Sequence, residues 1–223
     1  MGVAQLERRL AGLDTPCLCD AEKALRTNLR VVDPAIRPIN LGLQMLGRAH
    51  TVSCHEDFLM VIKGIKEASA GDVLVIDSRG SHKALTGGLF VTEARRKGLA
   101  GIVIDGNCRD TGTIRKMNVP YYVRGVNCSA GTTEQIYSTQ VSINCGGVVV
   151  DPGDLVFGDD DGLVVGNDEQ FAQLIPLAEQ IKASEQRIMD QVANGTSLLG
   201  LLNYDEHCAN LEAGRPSKLK FLV

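Results

Sequence analysis

Apolar positions along this chain follow two periods. Val3, Leu6, Leu10 and Leu13 recur at helical spacing and predict a helix over 3–13. Thr15 and Asp20 flank a second helix, roughly 17–25. The stretch 28–45 carries Pro34, Pro38 and Gly42 and reads as loop. Gly47 to Cys54 alternates as a strand does, and Leu59, Ile62 and Ile65 place a helix over 58–68.

The middle of the chain is the most explicit. After the turn Ala70-Gly71-Asp72 comes the apolar run Val73-Leu74-Val75-Ile76, then a polar loop from Asp77 to Thr86. A helix from Gly88 to Lys97 stops at Gly98, the residue type that most easily takes the left-handed turn ending a helix. A second run, Ile102-Val103-Ile104, ends in Asp105-Gly106. Strand, helix and strand in this order predict a βαβ unit with parallel strands buried on both faces. A short helix near 111–117 and Pro120-Tyr121-Tyr122-Val123 repeat the theme. Residues 141–166 read as short strands joined by tight turns. A long helix over 168–193 carries the stripe Phe171, Leu174, Ile175, Ala178, Ile181, Ile188 and Val192. The tail from Gly195 reads as irregular or weakly helical. One α/β domain over 1–223 is the simplest organisation.

Composition narrows the function classes. Of 223 residues 44% are hydrophobic but only 4% aromatic, so the core is aliphatic and no base-stacking surface is expected. A net charge of −4 argues against a nucleic-acid clamp. No apolar run approaches the roughly 20 residues a membrane helix needs, and the Met-Gly start lacks a myristoylation pattern. The expected compartment is the cytosol, with the seven scattered cysteines as free thiols.

Ligands of a parallel sheet bind beyond the carboxyl ends of its strands. Two adjacent strands here lead to Asp77 and to Asp105, and the second continues into Asn107-Cys108-Arg109-Asp110. Arg109 can grip a carboxylate in a bidentate fashion, and Asp110 can hold a hard divalent ion. The competing reading is a helix-capping Asp beside a surface Arg. Gly87 and Gly88 open the crossover helix, whose first N–H groups favour an anion; a plain tight turn is the alternative. Glu185 lies on the apolar stripe of the long helix and either reaches solvent or meets a partner or cleft. Cys54-His55-Glu56-Asp57 reads as a loop into a helix capped by Asp57, His82 and Lys83 as a solvated loop near the glycines, and Asp159-Asp160-Asp161-Gly162 as a hairpin turn.

The run Gly87-Gly88-Leu89, Glu93-Ala94 and Lys97 through Asp110 resembles the RraA-like family. Gly47-Arg48-Ala49, Val150-Asp151-Pro152-Gly153-Asp154 and Gly158-Asp159-Asp160-Asp161-Gly162 support it, and together these motifs span about residues 15–190. The family holds class II 4-hydroxy-4-methyl-2-oxoglutarate/4-carboxy-4-hydroxy-2-oxoadipate aldolases and the regulator of ribonuclease activity A. The resemblance implies an αββαβ swivelling fold in a homotrimer or homohexamer, with active sites between subunits. It implies that Arg109 binds the carboxylate and keto oxygen of a small 2-oxo acid. Asp110 would hold Mg²⁺ or Mn²⁺, largely through water. Backbone N–H groups around Leu89 and Phe90 would hold the substrate carboxylate, and Glu185 would approach from a neighbouring subunit.

One position departs from the pattern: family aldolases commonly carry an acid where Gly88 stands. The regulator branch has lost the Asp after the Arg, whereas Asp110 is kept here, which favours an enzyme. The implied reaction is cleavage of a 4-hydroxy-2-oxo acid to pyruvate, with oxaloacetate decarboxylation as a second activity. The other readings are a protein-binding regulator and a member recruited to another enolate reaction. Cys108 adjoins Arg109, so a thiol adduct is expected to slow turnover.

Overall fold

A computed structural model describes residues 3–222. Met1, Gly2 and Val223, and the side chains of Val3 and Ala4, lie outside the described residues, and with them the Met-Gly start. The chain opens with helices α1 (Val3–Leu10) and α2 (Thr15–Leu25). The Asp14 carboxylate accepts from Cys17 N at 2.9 Å and so starts α2, one residue earlier than the flanking Thr15 suggests. The supposed loop over 28–45 contains two short strands, β1 (Arg30–Val31) and β2 (Arg37–Pro38). The βαβ core follows as β3 (Met45–Ser53), α3 (Leu59–Glu67), β4 (Asp72–Asp77), β5 (Ala84–Thr86), α4 (Gly88–Lys97), β6 (Gly101–Cys108), α5 (Thr111–Ile114) and β7 (Tyr121–Val126). Then come β8 (Ser138–Thr139), β9 (Ile143–Cys145), β10 (Val148–Val150), β11 (Leu155–Gly158), β12 (Leu163–Gly166) and the long helix α6 (Asp168–Ala193). The tail folds into a 3₁₀ turn at Leu198–Leu201 and α7 (Tyr204–Glu212).

Strands β3, β4, β6 and β7 are parallel neighbours, as the apolar runs predict. The run in β4 shows why it does not alternate. Val73 and Val75 point into an inner core with Met45, Val103 and Tyr122. Leu74 and Ile76 point outward into a layer roofed by α3 and α4. Both faces are buried, so both positions of the period are apolar.

The sheet cannot be flat. Its strand path runs β1-β12-β11-β3-β4-β6-β7-β2, so β1 and β2 are its two ends. Laid flat, seven spacings would hold those ends about 34 Å apart. The chain from Val31 to Arg37 reaches at most about 21 Å. The sheet therefore curls until its ends meet. Tyr122 Oη donates to Asp159 O at 2.8 Å, the Arg37 guanidinium to Asp161 O at 2.9 Å, and Gly42 N to the Asp160 carboxylate at 2.8 Å. The acidic turn is thus a structural clasp. Its Asp159 also takes Thr15 N and Oγ1, both at 2.7 Å.

Helices α1, α2 and α6 cover the antiparallel wing, β11 and β12, through Leu10, Leu18, Phe157, Phe171 and Leu174. A capping box between Asn167 and Gln170 starts α6, whose stripe is buried at Phe171, Leu174, Ile175, Ala178 and Ile188. Val192, at the end of that stripe, is exposed. No helix among the described residues is long and apolar enough to cross a membrane.

Two expectations are corrected. Asp105 does not end its strand: β6 runs to Cys108, with an irregular register between Ile104 and Asn107. Its carboxylate is spent on Arg124 Nε at 2.5 Å and Gly146 N at 2.6 Å. Asp57 is not the capping residue of α3, since Phe58 occupies that position. Instead Asp57, fully buried, accepts from Leu59 N at 2.9 Å, Thr132 Oγ1 at 2.7 Å, Glu134 N at 2.6 Å and Gln135 N at 3.1 Å. It pins the connection after β7 against the start of α3.

Burial pushes the Asp57 carboxyl up, but its donors outweigh burial and hold it below the usual range. Its contribution to stability is therefore complete above about pH 4 and lost as pH falls through the lowered native value. Asp57→Ala strands several buried donors and should cost about 2–4 kcal/mol in urea unfolding at pH 7. The deficit should shrink on acidification.

Candidate active site

Two loops meet because two parallel strands are neighbours. β5 pairs with β6, placing Thr86 opposite Cys108. The next residues, Gly87 and Arg109, therefore leave the sheet side by side. Arg109 N donates to Thr86 O at 3.1 Å and fastens the loops together. Gly88 N donates to Asp110 Oδ2 at 3.1 Å, and Arg109 Nε stands 3.8 Å from the same oxygen. Both side chains are 46% exposed, open enough to meet a ligand.

Asp110 serves two helix starts. It occupies the cap position of α5 in left-handed backbone, φ 60°, a conformation Asp tolerates better than most residues. Its carbonyl accepts from Thr113 N at 2.9 Å and Ile114 N at 3.1 Å, so the backbone starts α5. Its carboxylate makes no capping bond to α5 and caps α4 instead. One residue thus joins two helix starts and keeps Oδ1 clear of any hydrogen bond to the described residues.

The first turn of α4 offers less than expected. Phe90 N and Val91 N fold back onto Gly87 O at 3.1 and 3.2 Å. Leu89 N has no partner among the described residues and is the free donor of this turn. A cavity of about 100 Å³ lies against it, with Phe58, Leu85, Phe90 and Ala130 as apolar wall and Arg109 and Asp110 as its charged part. The Phe58 and Phe90 rings pack edge to face, 5.7 Å apart.

Gly87 is extended, so its conformation suits any residue; space is what excludes a side chain. A Cβ there would stand 2.7 Å from Asp110 Oδ2 and 3.2 Å from Arg109 Cγ. At Gly88 a Cβ would stand 3.1 Å from Thr113 Cγ2 and 3.4 Å from Asp110 Cβ. Thr113 therefore crowds any side chain at this position.

The floor is a buried polar cluster. Thr86 Oγ1 is hydrogen-bonded to Tyr121 Oη, whose phenol burial pushes well above its usual range. Cys108 is fully buried in the same layer, and burial raises its thiol to about 11. Cys108 is absent from the cavity lining, and its burial shields the thiol from reagents in the native fold.

Glu185 does not join Arg109 and Asp110 within one chain. It is exposed on α6 and accepts from Cys17 Sγ at 3.6 Å, in the layer over the antiparallel wing. His82 is exposed and outside the cavity lining, while Lys83 Nζ donates to Ser129 Oγ at 3.0 Å. Cys54 is buried and its thiol pushed up to about 12, chiefly by burial. No group of three or more potential metal ligands occurs among the described residues.

A dedicated metal cage is thus absent from the described residues, which fits poorly with zinc. It fits Mg²⁺ or Mn²⁺, whose sites often use one or two carboxylates and complete the shell with water and substrate. The half-exposed Asp110 carboxylate is the residue that would hold the ion.

Gly87→Ala should fold normally and lose at least tenfold in ligand affinity, because the new methyl displaces the Asp110 carboxylate. Isothermal titration alongside a thermal melt checks both halves. Brief alkylation of native protein followed by peptide mass mapping should label exposed Cys128 and spare Cys108.

The family model described as RraA-like, Aldolase/RraA, matches residues 15–165. A provisionally named 4-hydroxy-4-methyl-2-oxoglutarate aldolase of Halalkalibacterium halodurans is 37% identical over 176 residues, covering 78% of this chain and 82% of that protein. The crystal structure of an uncharacterised protein from Pseudomonas syringae pv. tomato superposes with a TM-score of 0.78 at 27% identity, covering 89% of this chain and 96% of the other. A Streptomyces coelicolor member of the RNase ES inhibitor RraA protein family gives a TM-score of 0.75 at 26% identity, covering 86% of this chain and all of the other. The chain belongs to the RraA-like family, in sequence and in fold.

Proposed function

We propose that this protein is a divalent-metal-dependent lyase that cleaves a 4-hydroxy-2-oxo acid to pyruvate. The observation that carries the reading is the clasp of the Asp110 carboxylate on Gly88 N, beside Arg109 and the free Leu89 N–H. A 2-oxo acid presents a carboxylate and a keto oxygen on adjacent carbons. The helix start and Leu89 N–H suit the carboxylate, and the Arg109 guanidinium suits the keto oxygen.

In the cleavage the C3–C4 bond breaks and its electrons pass to C3, giving the enolate of pyruvate. The C4 hydroxyl loses its proton to a carboxylate or water, and C3 later gains one. Arg109 places positive charge where the enolate oxygen develops, so it binds the transition state more strongly than the substrate. Asp110 would hold Mg²⁺ or Mn²⁺, which supplies Lewis-acid stabilisation of that oxygen when bound. Oxaloacetate decarboxylation yields the same enolate and is the proposed side activity. Glu185 would enter this chemistry from a neighbouring copy in a trimer or hexamer.

A second reading is a protein-binding regulator, supported by likeness to the Streptomyces coelicolor inhibitor family. The retained Asp110 favours the lyase.

Pyruvate release from a panel of 4-hydroxy-2-oxo acids and oxaloacetate, read with a coupled NADH assay, decides between them. Activity is expected with Mg²⁺ and should fall at least 100-fold with excess EDTA or in Asp110→Asn. Arg109→Lys should also lose activity, since an ammonium cannot reproduce the guanidinium fork. Pyruvate release indifferent to EDTA, or absent from the whole panel, would contradict the reading.

A further inference from the structure

Resting on that reading, we propose that Tyr121 is a positioning residue of the site. Through Thr86 and Cys108 it sets the spacing between the start of α4 and the Arg109–Asp110 pair, touching neither substrate nor metal.

The sheet alone fixes the roots of the two loops poorly. β5 is three residues long and is paired with β6 at Ala84 and Thr86, with a register shift between them. β6 carries its own irregularity between Ile104 and Asn107, just before Cys108. Pairing across two such irregularities leaves the loop roots room to slide. Tyr121 stands on the regular side, opposite Ile102. Its phenol reaches past both irregularities. Tyr121 Oη is hydrogen-bonded to Thr86 Oγ1, and the Cys108 thiol hydrogen-bonds the same phenol. Thr86 and Cys108 are the residues immediately before Gly87 and Arg109. One side chain thus ties both loop roots to the regular part of the sheet.

The chemistry of the layer argues that these bonds serve position. The surroundings are aliphatic, with Ile76, Leu85, Val91, Ile102 and Ile104. A buried hydroxyl costs free energy unless it is bonded, and Val and Phe would fill nearly the same volume without that cost. What the hydroxyls add is direction: a hydrogen bond fixes a separation and an angle, which dispersion contacts do not. Thr86 also lines the cavity, but its hydroxyl is committed to Tyr121. Thr86, Cys108 and Tyr121 are all buried within a single chain, so the tie stands whatever a neighbouring copy adds to the site. Arg109 must meet the developing enolate oxygen while the helix start holds the carboxylate. A slip of one loop against the other therefore weakens the transition state more than the bound substrate.

Near-isosteric variants separate position from stability. Tyr121→Phe strands the Thr86 hydroxyl, and Thr86→Val removes one partner of the phenol, so each should lower the melting temperature. The double variant removes both hydroxyls and should melt close to wild type. It should nevertheless bind oxalate, a planar dianion whose binding needs no turnover, at least tenfold more weakly in the presence of Mg²⁺. Its kcat for pyruvate release should fall at least tenfold, with KM changed less than threefold. Thr86→Ser keeps the hydroxyl and should recover most of what Thr86→Val loses. A double variant that melts, binds oxalate and turns over as wild type does overturns the positioning role and leaves the lyase reading intact. Equal losses in Thr86→Ser and Thr86→Val also overturn it. If wild-type protein releases no pyruvate, the lyase reading falls and the oxalate titrations alone decide on Tyr121. Wild-type protein that neither releases pyruvate nor binds oxalate overturns both. If the double variant fails to fold, the comparison of Thr86→Val with Thr86→Ser decides.

Discussion

The link from Val31 to Arg37 is too short to join the ends of an eight-strand path unless the sheet curls, and the rest of the molecule follows from that closure. Curling gives the parallel strands an inside, filled by Val73, Val75, Val103 and Tyr122. The helices α3 and α4 bury the outside. Strands with two buried faces have no lateral position for a functional polar side chain. Function is displaced to the strand ends, where backbone leaves the sheet and polar groups meet water.

At one such end the register of β5 on β6 does the assembling. Arg109 N on Thr86 O and Gly88 N on the Asp110 carboxylate hold two loops as one unit. The arrangement gathers a guanidinium, a carboxylate and a free N–H within one small apolar-walled cavity. Each has a distinct electrostatic use, and the two charged side chains stay open enough to meet a ligand. Thr86 and Tyr121 anchor the clasp from below through a buried hydrogen bond.

Much of this was legible in the residues. The apolar runs at Val73–Ile76 and Ile102–Ile104, with Gly98 between them, dictated the βαβ unit. The apolar stripe alone placed α6. Gly87 and Arg109 could be set side by side because parallel strand ends are neighbours. The curl was not legible, because β1 and β2 are two residues each and the proline-containing segment around them shows no period. The loop that brings Ala130 to the cavity is held by Asp57 across 77 and 78 residues, a contact without local signal. Cys108 was misread for a different reason. It joins Ile102 and Ile104 in the buried layer, but it lies beyond the irregular register between Ile104 and Asn107, across which simple alternation does not carry. Glu185 stands apart because a single chain supplies only one side of any assembly.

The central claim is that Arg109, Asp110 and the start of α4 act as one metal-assisted anion site. Oxalate, a planar dianion resembling the enolate of pyruvate, probes it directly by isothermal titration. Wild-type protein should bind oxalate in the presence of Mg²⁺ and lose at least tenfold in affinity with EDTA or in Asp110→Asn. Equal oxalate binding by both proteins, with and without Mg²⁺, would contradict it.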